Sequence, residues 1–125
     1  MKAPSEQMAM KQIAGRLAEL LDVGPDNTHL SPSSQDDGAD GVVEVGSFTF
    51  IVGWKSSGAL APVTRVIEQL GGLARRIDAK AIPLVAVPFM GEAGRERCAR
   101  AEIAWIDLSG NARIDAPGLR ILVEG

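Results

Sequence analysis

The stretch Asp40-Gly-Val-Val-Glu-Val-Gly-Ser-Phe-Thr-Phe-Ile-Val-Gly-Trp-Lys55 reads as two apolar strands around Gly46-Ser47. Gly at the first central position of a two-residue loop signals a type II′ hairpin. The register follows: Val45 faces Phe48, Glu44 faces Thr49, Val42 faces Ile51 and Asp40 faces Gly53. Period-2 alternation then sets Asp40, Val42, Glu44, Thr49, Ile51, Gly53 and Lys55 on one face. Opposed Cβ atoms lie roughly 5 Å apart and diagonal ones roughly 7–8 Å. A carboxylate and an ammonium at that separation can share one metal-bound water or one phosphate, as a metal-dependent phosphodiesterase requires.

A strand carrying Asp, a turn, and a strand ending in (Asp/Glu)-x-Lys resembles the PD-(D/E)XK nuclease superfamily. The resemblance implies a restriction-endonuclease-like α/β fold, a mixed central sheet flanked by helices. It also implies two acids holding Mg²⁺ and a Lys steadying the attacking water or the transition state. Asp40 matches the first acid and Lys55 the lysine, but Gly53 stands where the second acid belongs and Ala39 where the motif's name puts proline. Downstream come Ser56-Ser57-Gly58, a helical stretch with Glu68-Gln69-Leu70, the strand Ile82–Pro88, and Ala104-Trp-Ile-Asp-Leu-Ser-Gly-Asn-Ala112. That order resembles the nuclease-like domain of abortive-infection antitoxins and related bacterial regulators, over roughly residues 40–123. Such a domain implies DNA as a partner, pairing of two copies or membership of a larger regulator, and a cytoplasmic location.

Outward from the hairpin, Ser5 caps a helix with Met8, Ile13, Leu17, Leu20 and Leu21 at helical spacing, giving an N-terminal helix within residues 1–22. This helix is expected to pack on the sheet edge or on a partner. Residues 24–41 are rich in Pro, Ser, Asp and Gly and read as a long flexible loop, with room for a short strand near Thr28–Leu30. Val63, Val66, Ile67, Leu70, Leu73, Ala74 and Ile77 form the apolar stripe of a helix over Ala61–Ile77, with Pro62 in its first turn. Ile82–Val87 is a continuous apolar run, the mark of a strand covered on both faces. A helix to about Ala101 and the strand Ile103–Leu108 complete a β-α-β unit with parallel strands. Ser109-Gly110-Asn111 and Pro117-Gly118 turn the chain into Ala112–Ile114 and Leu119–Val123.

Composition agrees with one domain over residues 1–125. With 46% hydrophobic residues, a chain of this length buries about two-thirds of its unfolded surface. Aromatic residues make up only 4%, so the core must be aliphatic. No apolar run reaches the ~18–20 residues of a membrane span, so no membrane partner is expected. One Cys rules out an intramolecular disulfide, and one Cys with one His argues against zinc. A net charge of −3 gives no overall pull on nucleic acid, yet Arg75, Arg76 and Lys80, and then Arg95, Arg97 and Arg100, are clustered bases.

Each candidate has a plainer reading. Asp40 can be a loop residue and Lys55 a solvated strand end. Glu44 shares their face but sits two residue pairs away. Glu68, on the helix after the hairpin, is a substitute for the missing acid in metal binding, and Gln69 beside it resembles a helix Gln that related nucleases use; both are otherwise ordinary surface residues. Ser56, Ser57, Arg95, Arg97 and Arg100 are candidate phosphate contacts, against a solvated helix face neutralised by Glu92 and Glu96. Asp107 and Asn111 bracket a turn whose residues are all turn formers. Three functions stay open: a nuclease-like domain degenerate at Gly53 that binds DNA or a partner, an active Mg²⁺-dependent endonuclease with a migrated acid (Glu68 or Glu44), and a small ligand-binding or dimerising module.

Overall fold

Gly46 takes a φ of 60° while Ser47 stays outside the positive-φ region, so the hairpin turn is type II′. The computed structural model describes residues 5–32, 39–77 and 80–124. Around the hairpin the chain forms α1 (Glu6–Leu21), a 3₁₀ turn (Pro25–Asn27), β1 (Thr28–Pro32), β2 (Gly41–Val45), β3 (Phe48–Trp54), α2 (Leu60–Ile77) and β4 (Ile82–Val87). Then follow α3 (Glu92–Ala101), β5 (Ala104–Asp107), β6 (Ala112–Ala116) and β7 (Leu119–Val123). Among the described residues seven strands join one mixed sheet whose spatial order equals the chain order.

Pairs β3–β4 and β4–β5 are parallel, and the remaining pairs are antiparallel. Two right-handed crossovers advancing in one direction deliver their helices to the same face. Accordingly, Val63, Val66, Leu70 and Leu73 of α2 and Cys98 of α3 share one apolar cluster with Ile51, Val85, Val87 and Trp105. The opposite face packs on α1, where Ala9, Met10, Ile13, Ala14 and Leu17 meet Val43, Phe50, Val52, Trp54, Leu84 and Ile106. The apolar run of β4 is thereby explained, because alternate residues serve opposite layers.

Ser5 caps α1 as expected, its Oγ accepting the Met8 N–H at 3.3 Å. The buried stripe is rotated from the expected one: Met8 is 57% exposed, and Ala9 and Met10 point inward instead. Small residues let the helix lie across β1, β2 and β3 rather than at an edge. The segment expected to be a loop contains the 3₁₀ turn and a full strand, β1, where a short strand near Thr28–Leu30 was foreseen. Residues 33–38, including Asp36 and Asp37, and the side chains of Arg75 and Arg76 lie outside the described residues.

Candidate carboxylate and lysine site

The hairpin ladder follows the expected register from Val45↔Phe48 to Val42↔Ile51, then departs from it. Gly41 pairs with Val52, and the Asp40 N–H also donates to the Val52 carbonyl at 2.8 Å. Asp40, just before β2, and Gly41 thus both oppose Val52, which is a β-bulge. Asp40 therefore does not face Gly53. The extra residue resets the alternation, so that Ala39 joins Val42 and Ile51 in the α2-side cluster. Asp40 turns the other way, to the N-terminus of α1.

There the Asp40 Oδ2 accepts the Trp54 N–H at 2.6 Å, fixing the carboxylate at the end of β3. Glu6, in the first turn of α1, is exposed and lies near Asp40. Hydrogen bonding of its protonated form to Asp40, then burial, then the charge of Asp40 raise the Glu6 carboxyl above its ordinary value of 4.5, while the nearby Lys55 ammonium pulls it down. These two carboxylates, with Lys55 nearby, form the site. Sequence reasoning missed Glu6. An acid one residue after a Ser cap is ordinary helix-dipole chemistry, and only the bulge brings it to Asp40.

The other acids stay apart. Glu68 is exposed on α2, and the helix face that meets Gly53 belongs to Val66 and Leu70. A Cβ at position 53 would lie 2.5 Å from Val66 Cγ1, so the motif's second acid has no room. Gln69 is also exposed on α2. Glu44 pairs with Thr49 and His29, four residues along the strand from Asp40, or about 13 Å. Among the described residues no three His, Cys, Asp or Glu side chains are grouped to hold a metal.

Of the candidate phosphate contacts, Ser56 and Ser57 are exposed on the loop that follows Lys55. The Ser57 Oγ accepts the Ala59 N–H at 3.2 Å and shapes the entry to α2. Arg95 is held in the fold: its Nε donates to the Met90 carbonyl at 3.1 Å and its guanidinium lies 5.2 Å from the Trp105 ring centroid. Arg97 is half-buried and Arg100 exposed on α3.

Asp107 is 1% exposed and serves as a buried anchor. Its Oδ1 accepts the N–H groups of Ser109 and Asn111 at 3.0 and 2.9 Å, and its Oδ2 accepts the Met90 N–H at 3.0 Å. The Asn111 Nδ2 donates to both oxygens, at 3.3 and 3.0 Å. One carboxylate thereby ties the β5–β6 turn to the loop between β4 and α3. This is the turn-forming role that the residue types suggested.

Cys98 is fully buried, and burial pushes its thiol from 9.0 up to about 12. Native protein is expected to resist a thiol reagent at pH 8 and to react fully once unfolded in urea. Because the folded state keeps the proton, stability falls as pH rises from about 9 toward 12. Cys98→Ala is expected to flatten that alkaline slope in denaturation curves taken at several pH values.

Two hollows of about 560 and 490 Å³ lie at the far end of the sheet, sharing Glu102, Ala104, Asp115, Ala116 and Pro117 in their walls. Neither includes Glu6, Asp40 or Lys55, and a shallow phosphodiester site needs no such cavity. No family model, curated protein or solved structure matches the chain.

Proposed function

We propose that the chain is a nuclease-like domain of the PD-(D/E)XK kind, in which Asp40 and Lys55 keep the places of the first acid and the lysine. It is degenerate at Gly53 and acts in DNA binding or interaction within a bacterial regulator or defence system in the cytoplasm. The Asp40 carboxylate, held on the Trp54 N–H one residue before Lys55, carries this reading. The order of elements around the hairpin supports it, as does the Asp-Leu-Ser-Gly-Asn turn. No helix among the described residues is long and apolar enough to cross a membrane, in keeping with such a role.

The Glu6–Asp40 pair favours a second reading, an active Mg²⁺-dependent endonuclease in which Glu6 supplies the carboxylate that position 53 lacks. Neighbouring carboxylates can take up a hard cation, which binds through one or two carboxylates plus waters and substrate oxygens. Glu6 and Asp40 would hold Mg²⁺, and the ion would polarise a phosphoryl oxygen. The Lys55 ammonium would balance the charge of a bound phosphodiester. Glu68 and Glu44 have no geometric support for this part.

Two measurements separate the readings. Mn²⁺ binding by calorimetry is expected to strengthen as pH rises above 4.5 through the raised Glu6 value, and to weaken about ten-fold in Glu6→Gln or Asp40→Ala. Binding that ignores both substitutions would remove the site. Incubation with plasmid and single-stranded DNA in Mg²⁺ or Mn²⁺ then decides catalysis: no cleavage leaves the degenerate domain, and cleavage lost in Asp40→Ala and Lys55→Ala establishes the enzyme. Because the Glu6 value is raised in the folded state, its protonation favours the fold at low pH, and that contribution is lost as pH rises through the Glu6 value.

A further inference from the structure

We propose that β7 is a self-association edge, at which two copies of the chain pair antiparallel about Leu122 and join their sheets. Strand β7 ends the sheet, so among the described residues nothing pairs with its outer side. The Pro117-Gly118 turn closes on the pair Ala116↔Leu119, a hydrogen-bonded pair in a two-residue hairpin. Alternation then points the N–H and C=O groups of Leu119, Ile121 and Val123 at β6, and those of Arg120 and Leu122 outward. Leu122 is also the most exposed large hydrophobic residue among those described, at 63%.

The residue pattern selects the occupant. An antiparallel pairing centred on Leu122 sets Leu122 against its own copy, Ile121 against Val123, and Arg120 against Glu124. Opposite charges then meet twice, once on each side of the axis, and the outward N–H and C=O groups of the strand all fall in hydrogen-bonded pairs. Among the described residues these charges make long pairs within one chain, Arg120 with Asp115 at 3.6 Å, both exposed, and Glu124 with the half-buried Arg95 at 3.7 Å. Such pairs are weak and exchange partners readily. Natural edge strands are commonly guarded by proline or lysine. The opposite edge, β1, ends in Pro32, whereas β7 carries neither.

The proposal is independent of the nuclease reading. Its test is the mass of the intact protein by sedimentation equilibrium over a range of micromolar concentrations. A species of twice the 13.2 kDa chain mass is expected. Leu122→Lys, which would place two ammonium groups at the axis, is expected to give monomer with an unchanged circular dichroism spectrum. Arg120→Glu is expected to weaken association about ten-fold, and its combination with Glu124→Arg to restore it. A monomer at every concentration, or a dimer indifferent to Leu122→Lys, overturns the proposal. Failure of the double exchange to restore association overturns this register.

Discussion

Asp107→Ala is expected to lower the folding stability by about 3–5 kcal/mol, read as a shift of the urea midpoint without a change of slope. The carboxylate accepts three backbone N–H groups and the Asn111 amide. Truncation removes the acceptor of the Met90, Ser109 and Asn111 N–H groups in a site where Asp107 is 1% and Asn111 4% exposed. Each unsatisfied buried donor costs about 1–3 kcal/mol, and partial entry of water lowers the sum. Asp107→Asn keeps one oxygen for the turn but offers an N–H to the other donors, so about half of the loss is expected. An alanine variant as stable as the parent would mean that the loop between β4 and α3 is held by its backbone contacts alone.

Gly53→Asp, which completes the (Asp/Glu)-x-Lys pattern, is expected to destabilise the protein by about 3 kcal/mol or more and to create no nuclease. The new Cβ would stand 2.5 Å from Val66 Cγ1 and 3.4 Å from Leu70 Cδ1, so the helix must shift to admit it. The carboxylate beyond it would enter the apolar layer between β3 and α2 without a partner. Adding Val66→Ala is expected to recover part of the loss by removing the closest methyl group. Thermal unfolding of the single and double variants, beside a plasmid-cleavage assay, checks both halves. Cleavage gained by Gly53→Asp would show that position 53 opens onto the site after all.

The elements were legible because their signals are local. Gly46-Ser47 fixes the turn, Ser5 caps α1, Pro62 sits in the first turn of α2, and the unbroken run Ile82–Val87 marks a strand between two layers. The parallel β4–β5 pair followed from the helix between the strands. The stripe of α1 was displaced because alanines carry little hydrophobic signal, yet Ala9 and Ala14 are what let the helix lie close to the sheet. Strand β1 was only partly visible, since its residues pair with β2 from within a polar stretch.

The sequence by itself determined the α/β class, the order of the elements, and the presence of Asp40 and Lys55 at one end of a hairpin. Tertiary structure alone decided which carboxylate joins them. Simple alternation aims Asp40 at α2 and therefore at Glu68, but the bulge opposite Val52 reverses its direction and brings it to Glu6. Packing likewise decided that position 53 is glycine, because Val66 occupies the space that a side chain would need. Both outcomes depend on contacts between segments far apart in the chain, and no periodicity or motif within a segment encodes them.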